Sequence, residues 1–314
     1  MAGRNRSGRG GVLIAGLGFG VAAGVALGML VIGPNLAGDG AAGPGDRGEV
    51  EQVRQESEIN AAQADSADAW IGNQAEEAVA GTLEQRPVLL MRTPDADDED
   101  VGNVAWLLRQ AGAVDAGRIT LEEPFLSQDG ADRLKSIVAN TLPAGAQLSE
   151  ASLDPGTHAG DALGAALLLD PETAEPTASP EERALLLESL ADAGYLSYER
   201  GTILPAQAVV IVTGGNDGTG DNGFGANTLA QFAASLDDNA NGTVVAGRIT
   251  AASDTGPIAL IRDQAGDRVS TVDSLSRTWG RMATVLAVRE QIDGGAGAYG
   301  SAASATGGPA PTIS

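Results

Sequence analysis

The sequence predicts an α/β protein: an N-terminal transmembrane helix and a helical stalk, followed by a layered α/β domain with a mostly parallel sheet. Three observations carry this reading. Gly10 to Gly38 contains no charged residue. Ala208 to Thr213 is an unbroken β-prone run, as expected of a strand buried on both faces of a parallel sheet. From Arg86 onward short apolar runs alternate with segments of helical spacing, which implies helices packed on a sheet.

Residues 1–11 form a basic segment with Arg4, Arg6 and Arg9. The apolar heart that follows, Val12 to Ile32, is 21 residues long, enough to cross a bilayer as a helix. Arginines before the span and an acidic bulk after it place the amino terminus in the cytoplasm and the main domain outside the membrane. A signal peptide usually has a shorter apolar core, so an uncleaved anchor is expected, with cleavage near Ala42 as the alternative. Gly16, Gly20, Gly24 and Gly28 recur every four residues and offer one helix face to another membrane helix. Residues 33–48 read as a flexible linker. Residues 49–85 read as a helical stalk with Val50, Val53, Ala64, Ala67, Ile71 and Ala78 in a broken stripe. Ser57 and Asn60 interrupt that seam, so a coiled coil with a second copy would be marginal.

The main domain is expected over residues 86–293. Val88 to Arg92 reads as its first strand, followed by a helix with Val101, Val104, Ala105 and Leu108 on one face. Helical spacing recurs at Leu134, Ile137 and Val138 and from Ala159 to Leu167. Ser179, Pro180 and Glu182 form an N-cap, a first-turn proline and a capping-box acid, and Gly194 stops the helix they begin. After Ala208 to Thr213 come a glycine-rich loop and a helix bearing Leu229, Phe232, Ala233 and Leu236. Thr243 to Ala246 and Ile258 to Ile261 read as strands, and Arg281 to Ile292 as a closing helix. Residues 294–314, rich in Gly, Ala and Ser, read as a disordered tail.

Composition excludes several functions. With 42 Asp plus Glu against 19 Lys plus Arg, the net charge is -23. Nucleic acid is an unsuitable partner for such a chain, and cations are better candidates. The absence of cysteine removes thiolate nucleophiles, disulfides and Cys-based metal sites together. Beyond the initiator only Met29, Met91 and Met282 carry sulfur, and His158 is the sole histidine, so no Cu(I) site of thiolates or clustered thioethers can be built.

Candidate sites are correspondingly weak. Asp95, Asp97, Asp98, Glu99 and Asp100 follow a strand end, where α/β sheets bind ligands, and carboxylates suit hard cations. Acids at a helix start are also stabilising in their own right, and that reading is preferred. Gly218, Gly220 and Gly223 spell a GxGxxG, but Asp217 and Asp221 in the same loop would repel a pyrophosphate. An EF-hand fails too, because Asn222 and Thr228 occupy its glycine and final-acid positions. A mobile surface loop is the expectation. The metal candidates are therefore Asp95, Asp97, Asp98, Asp100, Asp217 and Asp221, with no catalytic residue and no resident cofactor. A hydrolase using His158 ranks below, since no nucleophile elbow accompanies it.

Several segments occur together in one order: Arg92 to Asp100, Leu142 to Ser149, Ala159 to Leu169, Val212 to Gly215, and Ile292 to Gly295 leading to Tyr299 and Gly300. From about Arg86 to Tyr299 the chain resembles the actinobacterial copper-transport protein B (MctB) family. The resemblance implies a role in copper transport or homeostasis, with copper as the transported ion. The residues themselves read as non-enzymatic, and any copper held by the domain as weakly bound. It also implies an outer-membrane location, or an envelope role in cell separation through a partner membrane or cytoplasmic protein. Partners are expected along the glycine face and the stalk, including a second copy. An outer-membrane barrel would need many alternating strands and aromatic girdles, whereas this chain has 3 Trp, 3 Tyr and 4 Phe and strong helical periods.

Overall fold

The computed structural model describes residues 44–239 and 242–312. The predicted span Val12 to Ile32, its glycine face and residues 33–43 of the linker lie outside the described residues. Among the described residues no helix is long and apolar enough to cross a membrane. The described residues divide into two units, one ending at Ile71 and the other beginning at Gly72.

What is described of the first unit is one helix, α1 (Pro44–Gly72), which begins inside the predicted linker. Val53, Ile59 and Trp70 are exposed on it, and Arg54 pairs with Glu58 one turn on.

The second unit holds a seven-stranded sheet in the order β3-β2-β1-β4-β5-β6-β7. Its strands are β1 (Pro87–Arg92), β2 (Val114–Leu121), β3 (Leu196–Tyr198), β4 (Ala208–Val212), β5 (Thr243–Ala246), β6 (Ser270–Val272) and β7 (Ala298–Tyr299). Only the edge strand β3 runs antiparallel to its neighbour. Every residue of β4 is buried, as the apolar run predicts. Successive side chains on a strand point to opposite faces. On one face Leu89, Met91, Val209 and Ile211 meet the helices Ala131–Asn140, Pro155–Leu167, Pro180–Asp192, Gly223–Asp237 and Pro257–Ala265. On the other, Val88, Leu90, Val210 and Val212 meet Asp98–Gln110 and Thr278–Ile292. The sheet is open and sandwiched between two helical layers, each with its own core.

Local signals place the helix starts. Asp97 caps Asp98–Gln110 by accepting from Glu99 N at 2.9 Å, and Asp154 caps Pro155–Leu167 by accepting from Gly156 N at 2.7 Å. Ser179 and Glu182 form the predicted capping box. Gly194, at φ +81°, makes the left-handed stop after Pro180–Asp192.

Three expectations are corrected. Ile258 to Ile261 is not a strand but the first turn of a helix, Pro257–Ala265. Pro257 occupies its first position, and Ile258, Ile261 and Ala265 share its buried face. The segment 75–85 is not stalk: Ala75, Val79 and Leu83 are buried in the second core. The tail from 294 is not disordered: Ala298 and Tyr299 pair with Thr271 and Val272 as the seventh strand.

The closest helix contact, between Pro155–Leu167 and Gly223–Asp237, depends on a glycine stripe. A Cβ on Gly156 would lie 2.2 Å from Thr228 O, one on Gly160 2.6 Å from Ser235 Cβ, and one on Gly164 2.7 Å from Asn239 Cβ. Gly160→Ala is expected to destabilise the domain by about 2 kcal/mol through overpacking. Gly102→Ala, on a helix position with nothing within 4 Å, is expected to stabilise it by about 0.5–1 kcal/mol. Urea denaturation of both variants checks the pair of signs.

Candidate functional site

The strand order reverses between β1 and β4, and the crevice outside their carboxyl ends is where open α/β sheets bind ligands. Here the loops close on each other. Thr93, at the end of β1, donates to Asp95 Oδ1 at 2.5 Å and lies 3.3 Å from the Thr213 hydroxyl at the end of β4. Asn216 N donates to Asp95 Oδ2 at 3.3 Å. A Cβ on Gly214 would sit 2.1 Å from Asp95 O, so the two backbones touch with no room for a ligand between them. The third loop, after β5, is laced to the second: Thr250 Oγ1 donates to Gly215 O and Thr255 Oγ1 to Asp217 O, both at 2.7 Å. Gly218, at φ +70°, packs its α-carbon against Thr255 O. The loop expected to be a mobile surface element is thus pinned by its neighbours.

The acidic run is committed mostly to arginines. Asp100 is buried, with a side chain 3 % exposed, and takes Arg248 Nε at 2.8 Å and Arg281 Nη2 at 3.0 Å. Arg248 Nη2 also reaches Asp97 at 3.0 Å, and Arg92 pairs with Asp98. The backbone N–H of Glu99, and then Arg248, hold the Asp97 carboxyl below the usual range. Donating to the Asp100 carboxylate, and lying beside its negative charge, raises Arg248 above an ordinary guanidinium.

Asp217 accepts from the backbone N–H and the hydroxyl of Thr219, which keeps it anionic to lower pH, while Asp221 lies in the exposed turn Gly220–Asn222. Of the six predicted metal candidates, Asp97 and Asp100 share Arg248, Asp98 pairs with Arg92, and Asp95 and Asp217 sit on adjacent loops. Among the described residues no group of three or more His, Cys, Asp or Glu is arranged to hold a metal.

His158 lies on Pro155–Leu167, buried, with Nε2 3.1 Å from Ser149 O. A carbonyl only accepts, so Nε2 carries the proton, and the ring ties down the segment Leu142 to Ser149. No hydroxyl is hydrogen-bonded to that ring among the described residues. Nearby, Asp161 accepts from Ser149 N and Ser235 Oγ, so the same helix is fastened to the loop and to Gly223–Asp237.

Sequence reasoning missed the arginine partners and a second buried pair, Arg262 with Asp273 at 3.0 Å, side chains 6 % and 0 % exposed. Arg262 also donates to Thr271 Oγ1, Ser304 Oγ and Tyr299 O. Asp273 accepts from Ser274 Oγ, Ser301 N and Ala302 N. Nothing local announces such contacts.

The profile of the family described as "Copper transport outer membrane protein, MctB" matches residues 10–309. The chain belongs to the MctB family. It is 37 % identical over 242 residues to proteins of Mycobacterium tuberculosis and Mycobacterium bovis named "Copper transporter MctB", covering 76 % of this chain and 76 % of theirs. With the Mycobacterium leprae protein of that name the identity is 34 % over 223 residues, 68 % of this chain and 69 % of the relative. The MctB motifs legible from Arg92 to Gly300 fall within both the matched range and the folded unit.

Two predictions follow from these charges. Asp100→Asn leaves two guanidiniums without their shared buried partner and is expected to cost about 3 kcal/mol in chemical denaturation. Asp237, whose carboxylate accepts from Thr243 N at 2.9 Å, is pushed up to about 6 by burial. Its folded value exceeds its unfolded one, so the folded chain binds the proton more tightly and stability falls as pH rises from about 4 to about 6. Asp237→Asn is expected to gain about 1–2 kcal/mol at pH 7.5, shrinking toward zero near pH 4, in parallel urea titrations.

Proposed function

We propose that this chain acts in copper transport or copper homeostasis at the cell envelope, anchored by Val12 to Ile32 with the α/β unit outside the membrane. The observation that carries the reading is the 37 % identity, over three quarters of both chains, to proteins named for copper transport. The role is non-enzymatic: the crevice at the strand ends is closed by its own loops, and the lone imidazole serves a backbone carbonyl. Copper is handled through partner proteins, engaged along the glycine face and the stalk, or by weak binding at carboxylates. Asp95, Asp217 and Asp221 have no arginine partner among the described residues and are the first to attract Cu(II). A net charge of -23 concentrates cations near the surface in a way that salt screens.

A second reading, a structural or regulatory part in envelope assembly and cell separation, is favoured by one observation. The acidic loop spends its charge on Arg92, Arg248 and Arg281, as expected of a rigid docking module rather than a cation carrier.

Deleting the encoding gene should raise copper sensitivity, restored by the intact chain. A deletion strain with unchanged copper tolerance and chained, unseparated cells would overturn the first reading in favour of the second. In calorimetry, the purified chain should bind Cu(II) weakly and lose that binding at physiological salt. A stoichiometric, salt-resistant site of submicromolar affinity would instead restore direct copper binding.

A further inference from the structure

One face of the sheet is covered unevenly. Its two long helices, Asp98–Gln110 and Thr278–Ile292, lie over β1 and over β4 to β6. Arg118 and Thr120 on β2 are in register with Leu90 and Arg92 on β1 and so point to this same face, as does Ser197 on β3, opposite Thr120. Arg118 and Ser197 are exposed there. Between Asp98–Gln110 and the start of β2 runs a cleft based on the buried side chains of Val88, Leu90, Ala105 and Leu108, with the exposed Val114 beside them. Its volume of about 20 Å³ admits one small group.

Two guanidiniums line the same cleft, Arg109 from the helix side and Arg118 from the strand side. Neither has an ion pair or a hydrogen bond among the described residues. That is unusual in this chain, where acids outnumber basic residues 42 to 19. Other surface arginines, Arg54, Arg200, Arg268 and Arg289, each hold a carboxylate of their own chain. The one acid lining the cleft, Asp115, accepts from Gly117 N at 2.9 Å and pairs with neither arginine. Unspent positive charge therefore flanks an apolar opening in a molecule of net charge -23.

The complement of such an opening is a small apolar side chain with a carboxylate on either side, which a polypeptide supplies. An anionic bilayer would be repelled by the acidic bulk, and its flat surface cannot enter a cleft this narrow. Charges that meet across an interface select the partner and fix its register more than they add affinity. We propose that the cleft between Asp98–Gln110 and β2 docks an acidic segment of a partner protein, whose carboxylates meet Arg109 and Arg118 and whose small apolar side chain enters between them. The surface belongs to the folded unit, apart from the glycine face and the stalk, and its role does not depend on copper.

The test uses the full-length chain in a neutral detergent at physiological salt, where long-range repulsion is screened. A labelled peptide, Glu-Glu-Val-Glu-Glu, is titrated by fluorescence anisotropy beside Gln-Gln-Val-Gln-Gln and Glu-Glu-Ser-Glu-Glu. The first should bind roughly tenfold more tightly than either control. The double variant Arg109→Glu/Arg118→Glu should lose that preference yet unfold in urea like the parent, since neither side chain holds a contact within the fold. Arg133→Glu, a charge reversal at an exposed arginine of Ala131–Asn140, should leave the preference unchanged. Equal binding of the three peptides, or no binding, would overturn the proposal. An equal loss in Arg133→Glu would make the attraction diffuse and overturn it too. Protection of the β2 amides by phosphatidylglycerol added to the micelles, with the acidic peptide ignored, would give the surface to lipid instead.

Discussion

The burial of β4 on both faces is the constraint on which the rest of the domain depends. Ala208 to Val212 has no exposed side, so each face needs a helical layer, and each of its large side chains is worth about 1.5–3 kcal/mol only while that cover is present. Such a strand cannot sit at an edge. It needs parallel neighbours on both flanks, which β1 and β5 supply, and parallel pairs need long crossovers that deposit helices on the faces. The two cores, the reversal of strand order beside β4 and the meeting of loops at its carboxyl end all follow from this one buried run.

The loops at that end are held by charge that the fold has removed from water. Asp100 is nearly inaccessible, and a buried carboxylate is tolerated only when paired and hydrogen-bonded. Arg281 comes from the last long helix and Arg248 from the loop after β5, so one side chain ties together three elements far apart in sequence. The same arrangement explains why most of this acid-rich loop faces arginines. Arg92, Arg248 and Arg281 offset Asp97, Asp98 and Asp100, and Gly214 brings the neighbouring backbone against Asp95.

How far the sequence speaks for this structure depends on the range of the signal. Local chemistry was legible: the β4 run, the Ser179 capping box, the Gly194 stop and the acidic start of the helix after β1. Short apolar segments were not, because Ile258 to Ile261 fits either period over four residues, and only the proline before it hinted at a helix. Strand β2 escaped notice since Asp115 and Arg118 are exposed on it and Gly117, at φ +106°, breaks its pattern. The stripe Gly156, Gly160, Gly164 was hidden among 44 glycines, although its four-residue spacing is that of Gly16, Gly20, Gly24 and Gly28. At the candidate site the capping role of the acids was legible in Asp97, and the arginine partners of the others were not. Asp100 and Arg281 are separated by 181 residues, and no spacing rule reaches that far.

That limit bears on how copper and this domain meet. Cu(I) favours sulfur, and a site needs at least two soft donors converging on one ion. Among the described residues there are two thioethers, and the fold keeps them apart. Met91 is buried in the core on one face of the sheet, whereas Met282 packs against the core on the other. The central sheet stands between them, so no rotamer change brings both sulfurs to one metal. His158, whose Nε2 donates to Ser149 O, has only Nδ1 left to offer and supplies a single imidazole at most. What the domain offers copper is therefore oxygen and negative field, which attract divalent cations generally and select none. Under the copper role proposed above, selectivity therefore rests on ligands held outside this folded unit.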